Sequence, residues 1–444
     1  MKIISSYSVE IRTKSIDFKP TIQIYRSALA FLIPVVYENW SAVSQIEGNQ
    51  RQMLFVEHLI HTTKTYTAKY DFDVRFHKFP SYLRRAAIND TIGCVSSYVS
   101  NYENWVEGGK NGKEPKLQTA RFAMPTFYKT VMYESNEENG SASLKLYINN
   151  DWVWVTVKLL QTDLKYIQKY WQHCKPSAPV LEKRHGKYYL RFAFEEKVPL
   201  SKTQLKDQRI CAVDLGLNSD AVCSIMTSDG TVLARKFVNF PSEKDHLGHV
   251  LNRIKKYQRE HGSKNVMSFW QYAQRINDEL TKKIASAITE FAVLYSVGYI
   301  VFEHLDFRGK KAKGSKKQRL QMWRKNGIQD MVEHKAHRCG IRISRICAWG
   351  TSKLAYDGSG IVERDKDNYA LCTFAHADGK QGKQYNCDLS ASYNIGARYF
   401  IRELLKPLPA MVRSDIEAKV PGCQRRTSNT LSTLRALTTA LKAA

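Results

Sequence analysis

Three carboxylates in this sequence stand where a folded chain can use them for chemistry. Asp214 ends the apolar run 210–213, and Glu303 ends a second apolar run, 299–302. Asp388 opens an amphipathic segment further along the chain. An unpaired buried carboxylate costs several kcal/mol or shifts its pKa, so each should face water, a cation or a ligand. For Asp214 alone, an ordinary turn-forming Asp before Gly is an equally good interpretation.

The ordered set of three carboxylates is more specific than any one of them. Two at strand ends and one at a helix start suit a hard, oxygen-liganded cation such as Mg²⁺, which needs few protein ligands. Two such ions can activate water and stabilise the leaving oxygen in phosphodiester cleavage. We therefore predict Asp214, Glu303 and Asp388 as catalytic, metal-binding residues for two Mg²⁺ ions.

Charge and composition favour a polyanionic partner. The 444 residues include 68 Lys and Arg against 42 Asp and Glu, a formal net charge of +26. Such one-signed excess is typical of proteins that bind nucleic acid. No apolar run is long enough to span a membrane, and the N-terminus is too polar for a signal peptide. Nine scattered cysteines indicate reduced thiols, and we expect an intracellular protein without a membrane partner.

Residues 1–204 alternate between strand-like and helix-like patterns. Apolar residues alternate over 3–11, whereas 20–70 and 81–107 show helical spacing before the glycine-rich stretch 108–112. Strand patterns then return, with one helix among them: strands at 143–148, 152–159 and 188–194, and a helix over 160–173. The layout predicts a β element split by a helical insertion.

The three carboxylate motifs resemble the split RuvC-like nuclease of TnpB proteins and of the related miniature type V CRISPR effectors. Asp214 matches the first motif, an apolar run followed by Asp-x-Gly, and Glu303 matches the second. Asp388 matches the third motif, which here reads Asp-Leu-Ser-Ala-Ser-Tyr-Asn-Ile. The resemblance covers residues 205–402 well and the preceding residues loosely.

This resemblance implies an α+β multidomain chain. An N-terminal β wedge, an oligonucleotide-binding-like barrel with a helical insertion, would precede an RNase H-like (RuvC) α/β nuclease domain. The implied domains are a wedge (1–16 and 113–204), a helical recognition lobe (17–112), a nuclease domain with the first two motifs (205–347), a degenerate zinc-ribbon-like insert (348–387), the third motif (388–405) and a basic, partly disordered tail (406–444).

The insert departs from the family pattern, which usually carries a four-cysteine zinc ribbon. After Thr351-Ser352, the positions expected to be thiolates are Ala355 and Gly358, and neither can ligate zinc. The remaining thiols and imidazoles nearby lack paired spacing: Cys339, Cys347, Cys372, Cys387, His304 and His376. We therefore predict a metal-free insert and do not expect zinc as a cofactor.

The resemblance implies an RNA-guided DNA endonuclease with a single Mg²⁺-dependent site. Its partners would be a guide RNA and double-stranded target DNA, and its location the prokaryotic cytoplasm, associated with the nucleoid when bound to DNA. A lysine-rich, glycine-spaced segment near Glu303 is predicted to contact phosphates, although a solvated charged loop is the alternative. Its basic residues are Lys310, Lys311, Lys313, Lys316, Lys317 and Arg319.

Two alternative functions fit the sequence less well. A guide-RNA-dependent DNA-binding repressor without cleavage is disfavoured by the intact carboxylates. A junction resolvase that uses no RNA is disfavoured because such domains are far shorter and lack the long N-terminal region.

Overall fold

The computed structural model describes residues 1–443 except 118–119, 137–138, 217–218, 263–265, 305–324, 366–367, 369 and 376–381. The chain divides into two compact units. We call Lys2–Glu196 the N-terminal unit, and Lys197–Ala444 together with Met1 the C-terminal unit.

In its described residues, the N-terminal unit combines two three-stranded sheets with six α-helices. The helices are α1 (Lys19–Glu38), α2 (Trp40–Gln45), α3 (Asn49–Ile60), α4 (Phe72–Arg75), α5 (Ser81–Glu107) and α6 (Gln161–Trp171). The strands are β1 (Lys2–Glu10), β2 (Tyr133–Asn136), β3 (Ser141–Ile148), β4 (Asp151–Lys158), β5 (Val180–Arg184) and β6 (Lys187–Lys197). The sheets have the orders β1-β6-β5 and β2-β3-β4. The predicted strands at 3–11, 143–148, 152–159 and 188–194 and the helices over 81–107 and 160–173 are confirmed to within a few residues. The helical pattern predicted over 20–70 ends at Ile60, and strands β2 and β5 were not predicted.

The helices of this unit form because their apolar residues recur at helical spacing. In α5, Leu83, Ala87 and Val95 lie on one buried face, and α1 buries Leu29 and Leu32. These faces share one apolar core with the inward side chains of the sheets. The helices α1 to α5 fall within the segment 17–112 that was predicted to be helical.

The C-terminal unit is built on a five-stranded mixed sheet. Its strands are β7 (Arg209–Asp214), β8 (Ala221–Thr227), β9 (Val232–Val238), β10 (Tyr299–His304) and β11 (Arg342–Cys347), in the order β11-β10-β7-β8-β9. Its helices are α7 (Pro241–His261), α8 (Met267–Leu294), α9 (Lys325–Arg338), α10 (Cys387–Leu405), α11 (Ala410–Lys419) and α12 (Leu431–Ala443). Strands β7, β10 and β11 run parallel, whereas β7, β8 and β9 form an antiparallel meander.

The central strands are apolar throughout because helices cover both faces of the sheet. Alternate residues of β7 belong to different cores: Ala212 packs in the core that includes α10 and α12, and Val213 packs in the core that includes α8 and α9. A strand buried on both faces has a continuous apolar run instead of alternation. This is the physical reason for the runs at 210–213 and 299–302.

The C-terminal tail differs from the predicted partial disorder. Helices α11 and α12 occupy most of it, and Leu431, Leu434 and Leu437 of α12 are buried in the same core as α10. Leucines three residues apart lie on one side of a helix, so this short helix is held by packing against the sheet-covering helix α10.

The insert between β11 and α10 forms a small sheet of its own. Its strands are β12 (Glu363–Arg364), β13 (Leu371–Thr373) and β14 (Gln384–Asn386). Ala355, at an expected thiolate position, is fully buried in an apolar cluster with Cys372, Phe374 and Cys387. That this insert binds no metal remains a prediction.

Candidate active site

The parallel pairing of β7 and β10 places two carboxylates side by side. Val213 and Phe302 are register partners, and Asp214 and Glu303 each follow by one residue. Val213 and Phe302 point into the core under α8 and α9, so the next residues point to the opposite face of the sheet. Asp214 and Glu303 therefore share the face covered by α10. Both are largely buried, with 9% and 8% of their surfaces exposed.

Helix α10 brings the third carboxylate to this face. Asp388 is its second residue, and the Asn386 side chain caps the helix by accepting a hydrogen bond from the Leu389 amide at 2.9 Å. A β-carbon on Gly396 would lie 2.4 Å from Sδ of Met226 and 3.2 Å from Cβ of Ala212. The helix therefore approaches the sheet closely because glycine stands at the contact.

Gly216 and Ser219, which follow β7, lie close to Asp388. A β-carbon on Gly216 would lie 2.8 Å from the Ser219 carbonyl oxygen, so this close approach requires glycine. The Ser219 side chain hydrogen-bonds to Asp388 and thereby favours its ionised form. The glycine of the Asp-x-Gly pattern thus stands where the chain after β7 comes close to the third carboxylate.

The electrostatics of the site show that the three carboxylates are brought together. Burial raises the pKa of Asp214 well above its usual value, and the nearby charges of Glu303 and Asp388 raise it further. Burial also raises the pKa values of Glu303 and Asp388. Three ionised carboxylates that lie close together and are largely buried repel one another unless one of them is protonated or a cation binds between them.

Three residues that the sequence analysis did not assign to the site moderate this repulsion. Thr351 donates a hydrogen bond from its hydroxyl to Oε1 of Glu303, and Thr351 is 2% exposed. The positive charge of Arg398 also lowers the pKa of Glu303, and that of Arg364 lowers the pKa values of Asp214 and Asp388. In the sequence, Thr351 was recognised only as part of the Thr-Ser pair that begins the zinc-ribbon motif of the family. No sequence signal indicated Arg364.

Arg398 and Asn394 of α10 fix the segment that carries Thr351. The guanidinium of Arg398 donates to the carbonyls of Cys347 and Trp349, each at 2.8 Å. The amide of Asn394 donates to the Thr351 carbonyl at 3.0 Å, and its oxygen accepts from the Leu431 amide. Helix α10 therefore carries Asp388, positions Thr351 beside Glu303 and anchors the start of α12.

The donor set fits Mg²⁺. All three groups offer carboxylate oxygens, which are the ligands that this ion prefers. Asp214, Glu303 and Asp388 are accordingly the residues that could hold Mg²⁺.

The structure does not describe the segment that was predicted to contact nucleic acid. Residues 305–324, and with them Lys310, Lys311, Lys313, Lys316, Lys317 and Arg319, lie outside the described residues. His376, weighed as a zinc ligand, also lies outside them. No helix in the described parts of the chain is long and apolar enough to cross a membrane.

Comparison with known proteins gives limited sequence matches. Residues 5–148 match the model of the Aq_aa04 family, which is less than half of the chain. A protein of Aquifex aeolicus (strain VF5), uncharacterized protein aq_aa04, is 44% identical over 52 residues. This match covers 11% of the present chain and only 30% of that relative.

Solved structures match over most of the chain. A Cas12f1–sgRNA–target DNA complex aligns over 85% of this chain and 80% of that protein, with a TM-score of 0.55 and 14% identity. C2c1 of Alicyclobacillus acidoterrestris with single-guide RNA aligns over 83% and 65%, with a TM-score of 0.44 and 9% identity. The chain has a mixed α/β, multidomain fold like that of the Cas12f1 effector.

Proposed function

We propose that this chain is an RNA-guided DNA endonuclease with one Mg²⁺-dependent, RuvC-like site. The observation that carries the proposal is the convergence of Asp214, Glu303 and Asp388 on one face of the five-stranded sheet. The meander followed by two parallel strands supports an RNase H-like domain for this unit. The fold likeness to Cas12f1, whose structure contains sgRNA and target DNA, supports the same conclusion.

The partners in this proposal are a guide RNA and a double-stranded DNA target. Guide pairing would supply sequence specificity, while the protein would read a short flanking motif and the shape of the duplex. The net charge of +26 supplies the attraction to phosphates that such a complex needs. The two small sheets of the N-terminal unit, with an isolated bridge between Ile11 and Leu159, support the oligonucleotide-binding-like wedge.

Asp214, Glu303 and Asp388 would hold the Mg²⁺ ions, which when bound supply an activated water and neutralise charge on the leaving oxygen. Thr351 orients the Glu303 carboxylate through its hydrogen bond and favours the ionised form against the effect of burial. Ser219 does the same for Asp388. Arg364 is exposed and acts electrostatically on two of the carboxylates, so it is placed to attract a phosphate toward them.

The test begins with RNA that copurifies with the full chain expressed from its native locus. Sequencing should identify one discrete RNA, and replacing its guide segment should redirect cleavage to a DNA matched to the new guide. A DNA pool with randomised flanks would show which short motif is required. Cleavage that needs no RNA would instead indicate a resolvase, and guided binding without cleavage would indicate a repressor.

A further inference from the structure

A second group of metal-ligating side chains lies in the N-terminal unit. The group is His173, Cys174 and Glu196, and one ligand atom from each residue lies within 4.8 Å of the others. Nε2 of His173 and Oε1 of Glu196 are 3.1 Å apart. Cys174 is buried and forms no disulfide. We call this group the His-Cys-Glu cluster.

The backbone around the cluster is fixed by regular structure. Helix α6 ends at Trp171, and the Cys174 amide donates to the Trp171 carbonyl at 2.9 Å. The chain then runs beside β6, where the Ser177 amide donates to the Ala193 carbonyl at 2.8 Å. Glu196 lies near the end of β6, so the three ligands are held by a helix end and a strand.

The local packing limits how far the ligands can move. The Trp171 indole stacks on the Phe194 ring, with centroids 5.0 Å apart. Both rings are buried, and each stands two residues before a member of the cluster: Trp171 before His173, and Phe194 before Glu196. The end of a helix also carries partial negative charge, which favours a cation there.

We infer that the His-Cys-Glu cluster is a binding site for a borderline divalent transition metal ion, with zinc as the preferred ion. Imidazole nitrogen, thiolate sulfur and carboxylate oxygen are the three ligand types that proteins use for zinc. Tetrahedral zinc with ordinary bond lengths separates its ligand atoms by about 3.3–3.6 Å. The nitrogen–oxygen separation of 3.1 Å already approaches this, and the remaining separations are at most 4.8 Å.

Three protein ligands leave one position of a tetrahedron for water or another ligand. The His173 side chain is 60% exposed and the Glu196 side chain 17%, so an ion can enter from the His173 side. Bound zinc would tie the end of α6 to the end of β6 and stabilise the N-terminal unit. An ordinary ion pair accounts for the proximity of His173 and Glu196, but it does not require the thiol of Cys174 beside them.

Paired cysteine spacing, a common sequence signal for zinc, does not predict this cluster. This cluster has no such spacing, because Glu196 comes 22 residues after Cys174 and reaches it through the antiparallel packing of residues 176–177 on β6. Its existence depends on tertiary structure, and none of its residues belongs to the group Asp214, Glu303 and Asp388.

The test uses the full chain with zinc or cobalt as the probe. The parent protein carries Asp214→Asn and is kept in excess Mg²⁺, so that the carboxylate site does not bind the probe. Zinc per chain is measured after desalting, and the cobalt form is examined for a thiolate-to-metal band. The variants are His173→Ala, Cys174→Ser and Glu196→Gln. The matched control is Cys372→Ser, which removes a buried thiol from the insert.

We expect one zinc per chain and a thiolate–cobalt band in the parent and in Cys372→Ser. Each cluster variant should bind zinc at least about tenfold more weakly, and Cys174→Ser should lose the band. Zinc should raise the melting temperature of the parent but not that of Glu196→Gln, which keeps the shape of the side chain. A parent that retains no zinc, variants that bind like the parent, or zinc lost only from Cys372→Ser would overturn the inference.

Discussion

The Thr351 hydroxyl donates a hydrogen bond to the Glu303 carboxylate, across 48 residues of sequence. Thr351 belongs to the insert whose expected thiolate positions are Ala355 and Gly358. The insert therefore reaches the candidate active site through this threonine, whatever its capacity for metal. Through this contact, the insert can position Glu303 without binding zinc.

Replacing Thr351 with valine should weaken cleavage while the chain stays folded. Valine keeps the shape of the side chain but removes the donor, so the buried Glu303 carboxylate loses a bond that favours its ionised form. A hydrogen bond to a charged group contributes about 1.5–3 kcal/mol, and a loss of about tenfold or more in the cleavage rate is expected. The Mg²⁺ concentration for half-maximal rate should also rise. Thr351→Ser, which retains the hydroxyl, is the control and should cleave nearly normally.

Without divalent cations, the protein should lose stability as pH rises. The pKa of Asp214 is raised in the folded state, so between the unfolded and folded pKa values the folded chain holds the proton more tightly. The contribution of Asp214 to the free energy of unfolding is therefore fully present below about pH 4, the pKa of an aspartate in the unfolded chain. It is lost as pH rises toward and through the pKa of Asp214 in the folded chain.

This pH dependence can be measured by urea unfolding in EDTA at several pH values, for the parent and for Asp214→Asn. One such group contributes a slope of at most about 1.4 kcal/mol per pH unit within the window. The parent should show the steeper fall, and Mg²⁺ should reduce it. Equal slopes for the two proteins would contradict the electrostatic account of the site.

Two helical glycines give a matched test of how closely α10 must pack. At Gly396 a β-carbon would lie 2.4 Å from Sδ of Met226, whereas at Gly248 of α7 nothing lies within 4 Å. Gly396→Ala should destabilise the protein by about 1–3 kcal/mol and lower cleavage, because it pushes the helix that carries Asp388 from the sheet. Gly248→Ala should raise stability by roughly 0.5–1 kcal/mol through better helix formation. Thermal melting and cleavage per folded molecule distinguish the two, and equal effects would argue against close packing.

The carboxylate positions could be predicted from sequence because each is tied to a local pattern. A strand buried on both faces must be apolar, so Asp214 and Glu303 mark the points where β7 and β10 reach the site. Arg364, Arg398 and Thr351 could not be assigned in this way, because they meet the carboxylates only through the tertiary fold. The tail could not be predicted in the same way. Leu431, Leu434 and Leu437 have helical spacing, but they are ordered because they pack in the tertiary fold against α10.

The most direct test of the central claim is cleavage of a guide-matched DNA by folded carboxylate variants, with Mg²⁺ and with EDTA. Asp214→Asn, Glu303→Gln and Asp388→Asn should each nearly abolish cleavage, and double variants should be scarcely worse than single ones. Asp415→Asn, which changes an exposed carboxylate of α11, should cleave normally. Target binding should persist in all of them, because backbone contacts remote from the site hold the guide-paired duplex. Full cleavage by folded Asp214→Asn, or equal cleavage in EDTA, would contradict the account.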